Sequence, residues 1–387
     1  MNQSAPVIFY GSPLSLYSGK ARSYLRKSGI PYEERLASHP DFFQKIVPQI
    51  GRFVIPVVQT PAGDLVQDTT EIIDHFEDTT DAPSVYPESP KQKITALILE
   101  MFGDEGLIRP AMHYRWNFDE DNKDFIALEF GRIFNPTGTD EEAREIAKAP
   151  MARMKALLTP LGVMPDNFAV IEAGYAELLA ALNTHFTQNP YIFGGKPSIA
   201  DYGLYAPLYA HLARDPAPSI LMKKTANRVW RWVERMTAAD MDKPEFPDMA
   251  DTYLDNDEIA ETLLPVLSLV GTDHGPELKA LVAFMNDWLD KNPTIESGAK
   301  IVPDPEKRSL GSMCITIRGQ QFTVMARHYT LWMLQRVQDA FDGLTASEQQ
   351  DVLLLLEKTG LGYLITERCT RRINREGYSE VWGEKRT

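Results

Sequence analysis

At 387 residues, 43% hydrophobic and 24% charged, the chain has the make-up of a globular protein with material for two or three domains. Its formal charge of −14 argues against the basic surface that a phosphate backbone requires, so no nucleic-acid partner is expected. Only Cys314 and Cys369 occur, no run of about 20 apolar residues is present, and the opening MNQSAPVIFYGSP lacks the pattern of a secretory leader; a cytoplasmic protein without disulfide framework, thiolate zinc site or membrane span is expected.

In chain order, Val7 to Tyr10 is a short β-prone run closed by Gly11-Ser12-Pro13, and Lys20 to Ser28 carries helix formers up to Gly29 at the stop position. Ile30 to Leu36 predicts a second strand, completing a β-α-β unit. A proline-punctuated stretch from His39 to Gly51 has room for a short helix. Val57 to Thr60 and Leu65 to Gln67 flank the turn composition Pro61-Ala62-Gly63-Asp64 and predict an antiparallel hairpin, with a helix from Thr69 to Glu77 behind it. Asp81 to Pro90 is polar and proline-rich, a candidate linker.

From Lys91 to about Thr237 the apolar residues recur at helical spacing, as in Ile94, Ile98, Leu99 and Phe102. Beyond residue 240, helical stretches (Glu258 to Val270, Pro276 to Leu289) alternate with breaks. Met313 to Ile317 and Gln321 to Val324 flank Arg318-Gly319-Gln320 as a hairpin, and two helices follow, Arg327 to Phe341 and one opening on the T-x-x-E capping box Thr345 to Glu348. Its apolar run Val352 to Leu356 predicts deep burial. The boundaries read as 1–80, 91–240 and 241–387.

The segment from Tyr10 to Arg22, with Ser12-Pro13-Leu14-Ser15 at its turn, resembles the opening of glutathione transferases. Val54-Ile55-Pro56-Val57-Val58 resembles the family's V-P strand entry, Asp68-Thr69 its acidic-plus-hydroxyl step, and Ser198-Ile199-Ala200-Asp201 the capping motif of its helical domain. Four motifs in the right order, over roughly residues 7 to 240, imply a thioredoxin-like α/β domain followed by an all-helical domain, with residues 241–387 as an extension of unknown role. The resemblance also implies glutathione as cosubstrate, no metal, a hydrophobic electrophile as second substrate, a detoxification-type transferase reaction and a homodimer.

Residue by residue, the resemblance puts Ser15 at the catalytic position. A thiol with a pKa near 8.5 is mostly protonated at neutral pH, so a hydroxyl hydrogen donated to sulfur and the positive end of a helix dipole would favour the thiolate. Ser15 reads equally well as a helix N-cap. Tyr17, Ser18 and Tyr10 are rival hydroxyls. Pro56, cis by resemblance, would set Ile55 against the cysteinyl unit of the ligand, while Asp68 and Thr69 would hold the γ-glutamyl ammonium and carboxylate. For the glycyl carboxylate Arg52, Lys45 and Gln44 are candidates. Arg109, His113 and Trp116 share a helical face and would line the electrophile pocket, although a satisfied helix surface explains them as well. Ser198 and Asp201 are read as structural.

His39, His75, His185, His211, His274 and His328 lack metal-ligand spacing, and no phosphate-binding glycine loop or nucleophile elbow occurs. The leading expectation is an enzyme that activates glutathione for attack on a small hydrophobic electrophile. The alternative is a non-catalytic binding or scaffold protein that uses its extension.

Overall fold

The computed structural model describes residues 6–304 and 307–386. Strand β1 (Val7–Gly11), helix α1 (Leu16–Lys27) and strand β2 (Tyr32–Leu36) form the predicted β-α-β unit, and the short α2 (Val47–Ile50) follows a π-helical turn. Strands β3 (Val57–Gln59) and β4 (Leu65–Gln67) then lead into α3 (Thr69–Thr79). The sheet order is β2-β1-β3-β4, with β1 parallel to β2 and antiparallel to β3. Two-residue periodicity divides its faces: Phe9 and Val58 enter the main core, whereas their neighbours Tyr10 and Val57 join Phe42 and Ile46 in a smaller cluster.

After the linker come α4 (Pro90–Met101), α5 (Ile108–Trp116), α6 (Asp119–Phe134), α7 (Asp140–Lys155), α8 (Phe168–His185), α9 (Ile199–Ala210), α10 (Pro216–Thr225) and α11 (Asn227–Thr237). The thioredoxin-like domain therefore docks on a helical one through contacts of α1 with α9, and within the helical domain α9 packs closely on α4. Gly103 and Gly203 allow that approach, since a Cβ on Gly103 would lie 2.2 Å from the Gly203 carbonyl oxygen and one on Gly203 would lie 2.5 Å from Glu100 Cα. Asp201 anchors the start of α9: its carboxylate accepts the Ser198 N–H and hydroxyl, the Ile192 N–H and the Trp232 indole N–H, all within 3.1 Å.

The remainder wraps back onto both domains. Asp257 caps α4 from outside, its carboxylate accepting the N–H groups of Lys91 (2.8 Å) and Gln92 (2.9 Å). Helices α12 (Leu264–Asp273) and α13 (Gly275–Lys291) precede the hairpin β5 (Ser312–Ile317) and β6 (Gln320–Met325). Its two-residue turn, Arg318 and Gly319 at φ 50° and 82°, has both central residues at positive φ, the sign that fits the strand twist. Helix α14 (His328–Asp342) lies against α4, followed by α15 (Ala346–Lys358) and the single turn α16 (Tyr363–Thr366).

Two expectations change here. A second hairpin, β7 (Arg371–Glu376) with β8 (Ser379–Lys385), closes the chain where the sequence was read without strands. Helix α15 starts on the Thr345 to Glu348 capping box, but its apolar run is amphipathic: Val352 and Leu356 are buried while Leu354 is 59% exposed. A consecutive apolar run mimics deep burial, yet 3.6-residue spacing turns only part of it inward. Among the described residues no helix is long and apolar enough to cross a membrane, and no group of three metal-ligating side chains occurs.

Candidate active site

The first turn of α1 begins at Ser15, half-buried, whose backbone is extended as a cap requires. Its Oγ accepts the Ser18 N–H at 3.2 Å, so the cap reading holds, and its hydroxyl hydrogen stays available because accepting consumes only a lone pair. Ser18 is buried, with Oγ accepting from the Ser12 N–H, and Tyr10 faces the small cluster under the sheet. Tyr17 donates its hydroxyl to the Asp104 carbonyl at 3.2 Å. Burial, then Glu105 and Asp104, push that phenol well above its ordinary range, so it stays protonated at neutral pH.

Helix α3 opens on Asp68. The carboxylate caps it, Oδ1 accepting from Thr70 N (3.0 Å) and Glu71 N (3.4 Å). Asp68 holds φ 90°, which is uncommon for a residue with a Cβ and costs on the order of 1–3 kcal/mol. Thr69 is buried and donates its hydroxyl to the Tyr17 carbonyl at 3.3 Å, which draws the first turns of α1 and α3 together. The Ile55-Pro56 peptide is cis. Arg52, half-buried, reaches Gln67 Oε1 from Nη2 at 3.4 Å; it forms no ion pair among the described residues, and its Nε is buried without an acceptor. Lys45 is exposed and paired with Asp41 at 2.7 Å.

The C-terminal region supplies a wall that the sequence did not disclose. Tyr329 on α14 donates to Asp68 Oδ1 at 2.9 Å. Arg375 on β7 bonds Glu71 (2.8 Å) and Gln67 (3.3 Å), the residues flanking Asp68 and Thr69. Glu380 on β8 sits between Arg375 (2.5 Å) and His328 (3.2 Å). Burial raises its proton affinity, but His328, Arg375 and Arg52 outweigh that and lower its pKa to about 2.

Behind the helix ends runs a buried charge network. Lys20 Nζ meets Asp104 (2.6 Å), Glu100 (2.8 Å) and Thr70 Oγ1 (3.3 Å). Burial opposes the ammonium, yet Asp104 and Glu100 raise its pKa overall. One ammonium cannot neutralise two carboxylates, and burial together with the Glu100 charge pushes Asp104 up to about 8 despite Lys20. Glu105 is held by Arg327 (2.8 Å) and Thr330 (2.5 Å), and Arg327 joins Arg109 on Glu277. The available signal was Glu100, a lone charge within the apolar run Ile94 to Met101.

The electrophile-pocket candidates part company. Arg109 is buried, donating to Glu277 at 2.6 Å and to the Leu161 carbonyl at 3.1 Å, and it lines a cavity of about 40 Å³ with Phe102, Tyr175 and Phe322. Neither Ser15 nor Tyr17 lines it. His113 is buried between Glu172 (2.8 Å) and Asn117 (3.0 Å), and Trp116 packs on Phe130. Shared helical spacing put the three on one face, but α6 and α8 cover that face.

Residues 9–84 match the family model described as glutathione S-transferase, N-terminal domain, and residues 163–235 match glutathione S-transferase, C-terminal domain. Both domains of a glutathione S-transferase are therefore present in the chain. Among solved structures, a glutathione transferase from Phanerochaete chrysosporium is 18% identical with a TM-score of 0.43, covering 62% of this chain and 98% of that one. The beta-etherase LigF from Sphingobium sp. strain SYK-6 is 19% identical with a TM-score of 0.42, covering 60% and 96%. A glutathione S-transferase of Ceriporiopsis subvermispora in complex with glutathione is 17% identical, also with a TM-score of 0.42, covering 60% and 99%. No curated protein matches the sequence. Neither domain match extends past residue 235, so the wall carrying Tyr329 and Arg375 lies outside both.

Proposed function

We propose that the protein binds glutathione where the first turns of α1 and α3 meet, and activates its thiol through Ser15 for attack on a small hydrophobic electrophile. The observation that carries this is the Thr69 hydroxyl on the Tyr17 carbonyl, which sets two helix N-termini side by side. Each offers unpaired N–H groups and the positive end of a dipole. Ser15 at one end suits a thiolate; Asp68 and Thr69 at the other suit an ammonium and a carboxylate, and Arg52, which forms no ion pair among the described residues, suits a second carboxylate. The reaction has the thiolate form a bond to the electrophile, by addition or with displacement of a leaving group. Tyr17 serves as an uncharged hydroxyl beside this site, and Arg109 is the member of the electrophile set that lines a cavity.

The same reading takes the chain as three units, 1–80, 91–240 and 241–387, working in the cytoplasm without a metal. A homodimer would have to use surfaces other than the α4 face that α14 covers within the chain. A non-catalytic binding role is the second reading, favoured by the seating of Tyr329 on Asp68.

An ultraviolet difference titration of the purified protein with glutathione at neutral pH separates the two. A saturable thiolate band supports the enzyme. Binding without the band supports the non-catalytic role, and no binding removes glutathione from both.

A further inference from the structure

Three donors converge on a single oxygen of Asp68. Thr70 N, Glu71 N and the Tyr329 hydroxyl, at 3.0, 3.4 and 2.9 Å, all meet Oδ1, while no hydrogen bond among the described residues reaches Oδ2. A carboxylate oxygen has two lone pairs, so Oδ1 is saturated and the acceptor capacity of the group is left on Oδ2. Two of the donors belong to the helix that Asp68 caps. The third comes from a residue 261 positions away.

Tyr329 is itself fixed. The Arg375 guanidinium lies 5.7 Å from its ring centroid, and the Trp332 ring packs 5.3 Å from it. Arg375 in turn bonds Gln67 and Glu71, so the C-terminal wall grips the chain on both sides of Asp68, a residue already held at φ 90°. A side chain that merely filled space would not need a hydroxyl there, because a buried hydroxyl without a partner is costly. On the same stretch Arg52 contacts Gln67 and has no ion pair among the described residues. A ligand that carries both an ammonium and a carboxylate fits this pair, a carboxylate oxygen without a hydrogen bond and a guanidinium without an ion pair among the described residues.

We infer that Tyr329 is a positioning residue for the ligand's γ-glutamyl end, holding Asp68 so that Oδ2 receives the ligand's ammonium group. The C-terminal region is thereby a wall of the binding site and a determinant of its selectivity. This rests on the glutathione reading above.

Isothermal calorimetry on the full chain and on Tyr329→Phe, with glutathione and with N-acetylglutathione, tests it. Acetylation removes the ammonium charge and leaves the rest of the tripeptide. Phenylalanine keeps the ring packing on Trp332 and Arg375, and Arg375→Lys, which retains the charge but loses the fork on Gln67 and Glu71, serves as a second variant. Hydrogen bonds to charged groups of this kind correspond to about a tenfold change in affinity. We expect Tyr329→Phe to weaken glutathione by about that factor while N-acetylglutathione shifts by less than about twofold, and Arg375→Lys to narrow the ratio between the two ligands in the same direction. An equal loss for both ligands would make Tyr329 a purely structural residue and overturn the inference, as would unchanged affinity for both. If the unaltered protein binds neither ligand, the glutathione site itself is wrong; if it binds both equally, glutathione stands and the ammonium contact falls.

Discussion

The two sides of the candidate site are built by different means. In the thioredoxin-like domain Ser15 and Asp68 are held by N–H groups two or three residues away, so each is fixed by the helix it begins. On the C-terminal side Tyr329 and Arg375 reach the same turn across 261 to 308 positions of sequence, through side chains alone. Local caps form wherever their helix forms. The distal wall forms only when the C-terminal region packs on the first domain, so the candidate site is complete only in the tertiary structure even though the hydroxyl and the carboxylate are local features.

The contrast can be pressed hardest at the seam joining the two sides. Lys20→Met would leave Glu100 and Asp104 buried without their cation, and loss of one partner of a buried pair costs about 3–5 kcal/mol. Chemical denaturation should show that loss. A change below about 1 kcal/mol would mean that Glu100 takes up a proton, as Asp104 already does, and that the network does not hold the domains together.

Asp201→Ala comes next, because there a local cap is also a long-range anchor. The substitution strands the Ile192 N–H and the Trp232 indole as well as the start of α9, and we expect about 3 kcal/mol of destabilisation without a specific effect on ligand affinity. Normal melting with lost binding would contradict the structural role.

Ser15→Ala isolates the purely local side. Loss of an N-cap costs about 1 kcal/mol, so the fold should survive, whereas the thiolate band in the glutathione titration should disappear. Persistence of the band would pass the activating role to another hydroxyl, with Tyr17 and Ser18 the rivals in the same helical turn.

The finest distinction is in pH. Asp104 rises from its ordinary 3.8 to about 8 in the folded protein, so the folded state holds the extra proton and the stability from this group is lost as pH rises across that range. Glu380 falls from 4.5 to about 2, so its contribution is full above pH 4.5 and is lost as pH falls toward 2. Both carboxylates are buried. They differ because Glu380 faces His328, Arg375 and Arg52, whereas Asp104 shares Lys20 with Glu100. Denaturation measured across pH should show Asp104→Asn flattening the limb between about pH 4 and 8 while leaving the acid limb in place; an unchanged slope would exclude Asp104 as its source.

Much of this was open to sequence reading for a physical reason. Strand alternation, the Pro61 to Asp64 turn, the helix caps at Ser15, Asp68 and Thr345, and the helical periodicity after residue 91 are all short-range, so the residues that define each feature are close together in sequence. What tertiary structure alone decided are the pairings across domains. Helical spacing could not say that α6 and α8 would cover the face carrying His113 and Trp116. It could not foresee the hairpin β7–β8, whose Arg375 and Glu380 find their partners only when the fold brings Glu71, Gln67 and His328 to them. Nor could it place Tyr329 on Asp68. A charge or a hydroxyl has the same sequence signature exposed or buried; its role is set by the partner that the folded chain brings within about 3 Å.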